Sequence, residues 1–125
     1  MSSKPPNVLV VDDEEAIRDM IRFALEKAGM AVQLASGAQE ALERISEKRP
    51  DIILLDWMMP GMDGWEVLRR LRADDATRET KVLILTAHAQ PEVAVQAQEG
   101  GADDFMTKPF RPTDLRDRVA KMIAS

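Results

Sequence analysis

The residues able to do chemistry fall at a few places in the chain. Asp12 and Asp13 follow the apolar run 7–11, and Asp56 closes the aliphatic run Ile52 to Leu55. Thr86 and the small Ala87 follow 81–86, and Thr107, Lys108 and Pro109 end the run 103–109. An acid at the tip of the most apolar segment needs partners or solvent, because a buried charge costs several kcal/mol unless it is paired or holds a metal. Carboxylates brought close together repel, and at least one takes up a proton unless a cation joins them. Asp12, Asp13 and Asp56 form an oxygen-only donor set with no His or Cys, which suits Mg²⁺, an ion that keeps several waters and uses few carboxylates. Mn²⁺ accepts the same donors. Lys108 adds a second positive charge, able to pair with a carboxylate at rest and with a phosphoryl oxygen later. Thr86 can donate a hydrogen bond to that oxygen, and Ala87 leaves room for it. Carboxylates act as nucleophiles in forming aspartyl phosphates. Catalysis of such a transfer is mostly positioning and charge neutralisation, and an ionised Asp56 needs no general base.

These residues converge only if the elements between them place them on one edge. "NVLVV" (7–11), "IILL" (52–55) and "KVLILT" (81–86) are continuous apolar runs of the kind found in strands buried on both faces. "MAVQLA" (30–35) and "DDFMT" (103–107) read as two further strands. Between them run helical patterns. Ala16, Ile17, Met20, Ile21, Ala24, Leu25 and Ala28 recur at helix spacing, and Gly29 ends them. Ser36 with Gln39 forms an S-x-x-Q capping pattern before Ala38, Ala41, Leu42 and Ile45. Asp63 caps a helix carrying Val67, Leu68 and Leu71. A weaker helix spans Pro91 to Gly100, and a last one spans 112–124 with Leu115, Val119, Met122 and Ile123 on one face. Strict strand–helix alternation predicts an α/β fold: a parallel sheet with helices on both sides, ligands binding beyond the carboxyl ends of the strands. Every candidate residue lies at such an end, whereas the second strand delivers only Ala35 and Ser36.

The 125 residues suit one domain, with 1–6 as a flexible N-terminal segment and 7–124 as the folded unit. A net charge of −5 argues against the domain itself gripping a nucleic-acid backbone. Without cysteine there is no disulfide frame or thiol chemistry, which is compatible with a reducing cytoplasm. The start "MSSKPPN" lacks a signal peptide's apolar stretch, and no run reaches the roughly 20 apolar residues of a membrane span.

Four segments, in order, resemble the receiver domain of two-component response regulators: "LVVDDE" at 9–14, "LLDWMMPGMDG" at 54–64, "LTA" at 85–87 and "TKPF" at 107–110. The resemblance covers the chain from Asn7 to Ile123 and implies a flavodoxin-like sheet of order 2-1-3-4-5. It implies a divalent cation held by Asp13, Asp56 and the backbone carbonyl of Met58, with Asp12 acting through water. The phosphoryl group would come from a sensor histidine kinase or a histidine phosphotransfer protein. Lys108 and Thr86 would hold its oxygens, and Phe105 would swing inward as Thr86 moves. A cis Lys108–Pro109 bond is also implied. The face of the fourth helix, fifth strand and fifth helix would carry the signal to an output domain or partner. DNA-binding members of the family use that face to form a homodimer, but Gln96 stands where they carry a basic residue. Asp103, Asp104, Asp114 and Arg118 are candidates for ion pairs there. The chain would be no enzyme beyond assisting its own phosphorylation and slow dephosphorylation.

Other readings stand beside this one. Asp12 and Asp13 are favoured helix caps in their own right. His88 reads first as an exposed loop residue, and Trp57 and Trp65 as packing or contact residues. Met58, Met59 and Met62 cluster by the proposed site as candidate contacts. A phosphohydrolase or phosphotransferase acting through Asp56 shares the chemistry but would want a second acid/base carboxylate in a D-x-D after the first strand, which is absent. A nucleotide or flavin module would want a glycine-rich phosphate loop, also absent. In the receiver family the positions of Met58 and His88 tune how long the aspartyl phosphate survives, and an apolar Met58 cannot orient an attacking water. Slow self-hydrolysis follows: the phosphorylated protein, followed by intact mass, should outlast seconds, and loss within seconds would contradict this.

Overall fold

The computed structural model describes residues 5–57, 64–87 and 91–124. Five strands alternate with five helices: β1 (Asn7–Val11), α1 (Glu15–Lys27), β2 (Ala31–Ala35), α2 (Ala38–Glu47), β3 (Ile52–Asp56), α3 (Gly64–Ala73), β4 (Lys81–Thr86), α4 (Pro91–Glu99), β5 (Asp104–Thr107) and α5 (Pro112–Ala124). The strands form one parallel sheet in the order β2-β1-β3-β4-β5. The order puts β1, β3 and β4 in the middle, and these are the three continuous apolar runs.

Side chains alternate across a strand, so a central strand supplies two cores at once. Leu9, Val11, Ile53, Leu55, Val82 and Ile84 pack with α2, α3 and α4 on one face. Val8, Val10, Ile52, Leu54, Leu83 and Leu85 pack with α1 and α5 on the other. Each fully buried aliphatic of this kind contributes about 1.5–3 kcal/mol relative to exposure.

The helix ends are set by local chemistry. Gly29, at φ 90°, takes the left-handed turn that closes α1, its N–H donating to the Glu26 carbonyl at 3.0 Å. The start of α2 differs from the expected S-x-x-Q pattern. Gly37 is the N-cap, and Glu40 rather than Gln39 reaches back, accepting from the Ser36 amide at 2.7 Å and its hydroxyl at 3.0 Å. A carboxylate on the third helical residue also meets the positive end of the helix dipole, an advantage the neutral amide lacks. Those Ser36 hydrogen bonds hold the Glu40 carboxyl below its ordinary range. Asp63, the expected cap of α3, lies outside the described residues.

The fourth helix is weakly anchored by its apolar side chains, with Ala97 buried and Val95 half exposed. The turn that follows it is held differently. Arg72, at the end of α3, donates from Nε and Nη2 to the Gly101 carbonyl at 3.0 and 2.7 Å. Its Nη1 donates to the carbonyls of Arg78 and Thr80 at 3.0 and 2.7 Å. Its Nη2 also meets Asp103 at 3.2 Å, and the same Asp103 oxygen accepts the Val82 amide at 2.8 Å. Of the acids expected to pair with Arg118, Asp104 does so at 2.8 Å, whereas Asp103 turns to Arg72. Asp114 is exposed in the first turn of α5. Replacing Arg72 by Met should leave several partly buried carbonyls without a donor and lower the unfolding free energy by roughly 2–3 kcal/mol. Urea denaturation with an unchanged m-value would register this, and an unchanged midpoint would refute it.

Candidate functional site

The strand alternation that divides the core also sorts the polar residues at the sheet's carboxyl edge. Asp12 and Asp56 continue the parity of Val8, Val10, Ile52 and Leu54, which places them on the α1/α5 side. Thr86 continues the parity of Val82 and Ile84, and Phe105 packs with that opposite core. One face of the edge thus carries the two buried acids, and the other carries a buried hydroxyl and an aromatic ring.

Asp12 has no exposed surface, and Asp56 is only 4% exposed. Each of Asp12's acceptors is occupied. Its Oδ1 takes the Glu14 amide at 2.9 Å, its Oδ2 takes the Lys108 ammonium at 2.7 Å, and its carbonyl takes Arg18 Nη1 at 2.8 Å. The same ammonium lies 3.6 Å from Asp56 Oδ2 and 3.7 Å from Glu14 Oε1. Asp13 is exposed and marks the solvent side of the cluster. Carboxylate oxygens of Asp12, Asp13 and Asp56 lie within 4.8 Å of one another. Three carboxylates so close, with a single ammonium directly against two of them, form a hard-oxygen set with negative charge to spare, and this fits a divalent cation. Asp12 is the acid held most closely by protein donors, and Asp13 is the one exposed to solvent.

Thr86 is fully buried at the tip of β4, and Ala87 is exposed beside it. The backbone of Lys108 donates to the Thr86 carbonyl at 2.7 Å, tying the tips of β4 and β5 together. The Lys108–Pro109 bond is cis. Phe105 is partly buried opposite Ile84, two residues back from the edge. Met58 and His88, and with them Met59 and Met62, lie outside the described residues. Trp57 is buried and meets the partly exposed Trp65 edge-on, ring centroids 6.2 Å apart.

Three contributors were missed by sequence reasoning. Gly64 starts α3 against the site strand: a Cβ there would stand 2.9 Å from Trp57 Cα and 3.0 Å from the Asp56 carbonyl oxygen, so no larger residue fits. Its place in the quoted "MDG" was the available signal. Arg18 and Glu14 face the cluster from α1 and its cap, and nothing in their spacing marked them out.

An acidic, cation-ready pocket at the carboxyl edge of a 2-1-3-4-5 parallel sheet defines a class of α/β domains. Residues 8–120 match the response regulator receiver domain, and the chain belongs to that family. It is 44% identical over 116 residues to the phosphate regulon transcriptional regulatory protein PhoB of Pseudomonas aeruginosa, covering 93% of this chain and 51% of that protein. The chain thus spans about half the length of the curated relatives it matches. A putative response regulator from Chloroflexus aurantiacus superposes with a TM-score of 0.92 at 34% identity, covering 98% of this chain and 100% of that one. The BeF3-activated DrrB receiver domain does so at 0.88 and 29% identity, covering 97% and 99%. Among the described residues no helix is long and apolar enough to cross a membrane.

Burial pushes the Lys108 ammonium toward losing its proton. The hydrogen bond to Asp12 and the charges of Asp56, Asp12 and Glu14 together outweigh this and hold its pKa above the ordinary 10.5. The folded state therefore binds this proton more tightly than the unfolded chain. Its contribution to stability is complete below 10.5 and is lost as the pH rises through the higher folded value. In chelator, denaturation midpoints from about pH 9 to about pH 12 should fall more steeply for the natural protein than for Lys108→Met. Parallel profiles would show that Lys108 carries no such linkage.

Proposed function

We propose that the chain is a phosphorylation-switched signalling module in which Asp56 accepts a phosphoryl group from a phosphohistidine. The donor is a sensor histidine kinase or a histidine phosphotransfer protein. The observation that carries this reading is the Lys108 ammonium set between the buried carboxylates of Asp12 and Asp56, with Asp13 open to solvent beside them. In the transfer, an Asp56 oxygen forms the new O–P bond as the P–N bond of the phosphohistidine breaks and the imidazole leaves. Lys108, already beside both acids, neutralises charge on the phosphoryl oxygens, and Thr86 hydrogen-bonds one of them. Asp13, Asp56 and the Met58 carbonyl would hold Mg²⁺ or Mn²⁺, with Asp12 linked through water. That cation supplies charge neutralisation around the phosphoryl group.

The output follows from the sorting of the edge. A phosphoryl group adds roughly −1.5 to −2 charges on the acidic side, and Thr86 couples that change to the opposite side, where Phe105 lines the α4–β5 boundary. The weakly packed α4, with β5 and α5, is then the surface that moves and meets an output domain, a partner or a second copy. A receiver similar in fold is one activated by BeF3. We place this activity in the cytoplasm, where the phosphohistidine donors of such modules are made.

Incubation with acetyl phosphate should add one phosphoryl group to the intact mass, only with Mg²⁺ present. Asp56→Asn should abolish the addition. Uptake undiminished in that variant would overturn the assignment of Asp56.

A further inference from the structure

Asp13 differs from the other two acids of the cluster. Asp12 and Asp56 each lie beside Lys108, whereas Asp13 is exposed and has no hydrogen bond or ion pair among the described residues. The point from which its side chain departs is set by its backbone, and that backbone is gripped on both sides. The peptide group before Asp13 includes the Asp12 carbonyl, which accepts from Arg18 Nη1 at 2.8 Å. The peptide group after it includes the Glu14 amide, which donates to Asp12 Oδ1 at 2.9 Å. Asp12 is in turn fixed by Lys108 and by its own amide, which donates to the Ala35 carbonyl at 3.1 Å.

We propose that Arg18 is a positioning residue for Asp13: by fixing the Asp12–Asp13 peptide, it aims the exposed carboxylate of the cluster and so raises its affinity for a divalent cation. The proposal rests on reading the three acids as a cation site. Arg18 closes the first turn of α1, its amide donating to the Glu14 carbonyl at 3.0 Å, and its side chain reaches back over six residues to the strand end. Groups that orient ligands without touching the metal typically change affinity 10–100-fold when removed.

Charge alone makes the opposite forecast. A guanidinium near a cation site repels the cation, so its removal would tighten binding by electrostatics. Positioning predicts that removal weakens binding. The sign of the change separates the two.

The experiment is a calorimetric Mg²⁺ titration of the whole chain, with Mn²⁺ followed in parallel by electron paramagnetic resonance of the free ion. The natural protein is compared with Arg18→Met and Arg18→Lys. We expect about a tenfold weaker dissociation constant for Arg18→Met and partial recovery for Arg18→Lys, which keeps a donor but not the fork. The metal-free Arg18→Met protein should unfold at a somewhat lower temperature but stay folded at the titration temperature, and its phosphorylation rate should return to the natural value at saturating Mg²⁺. Unchanged or tighter binding by Arg18→Met overturns the proposal alone. Failure of the natural protein to bind either cation overturns the cation-site reading and the proposal with it.

Discussion

The contact between Lys108 and Asp12 is the constraint on which the site depends. A carboxylate with no exposed surface is not tolerated alone, and the ammonium 2.7 Å away makes this one possible. The two residues are 96 positions apart, so the pair exists only when the chain has closed. Lys108 leaves the end of β5 at the rim of the sheet, while Asp12 leaves β1 in its middle. Between them stand β4 and β3, and Asp56 is the tip of β3, so one ammonium that reaches Asp12 also lies near Asp56. The strand order, the burial of two acids and the placement of the one lysine are therefore one condition. Any topology that separated β1 from β3 would leave the acids without their shared cation.

The period of two along a strand does more than divide the core. It assigns the buried acids Asp12 and Asp56 to the side of α1 and α5, and Thr86 with Phe105 to the side of α2, α3 and α4. The two sides meet at the strand tips. The Lys108 amide bonded to the Thr86 carbonyl, and Gly64 packed on the end of β3, leave little slack there. Tight packing at a strand end passes a small displacement on where a looser junction would absorb it.

The sequence disclosed the frame well for a physical reason. Strands buried on both faces must be apolar throughout, so β1, β3 and β4 stand out as runs, and their polar ends stand out by contrast. Strand boundaries at β2 and β5 shifted by one residue, because edge strands are half exposed and their pattern fades. The cap of α2 was placed one residue early, since Gln39 and Glu40 both suit the reach and only the geometry selects the acid. Arg18, Arg72 and the turn of Asp103 toward Arg72 were not legible. Each joins a long side chain to a backbone carbonyl or a distant acid, and such contacts leave no period in the sequence.

The clamp around Arg72 gives the molecule two unlike ends. At the carboxyl edge of the sheet, the acids Asp12, Asp13 and Asp56 and the Lys108 ammonium face one another. At the opposite edge, a guanidinium grips the carbonyls of Arg78, Thr80 and Gly101 with one acid, Asp103. A guanidinium keeps its proton at any pH the fold survives, and neutral carbonyls offer little for salt to screen. The two ends thus differ in kind: one is built of facing charges, the other of a guanidinium held mainly by backbone carbonyls.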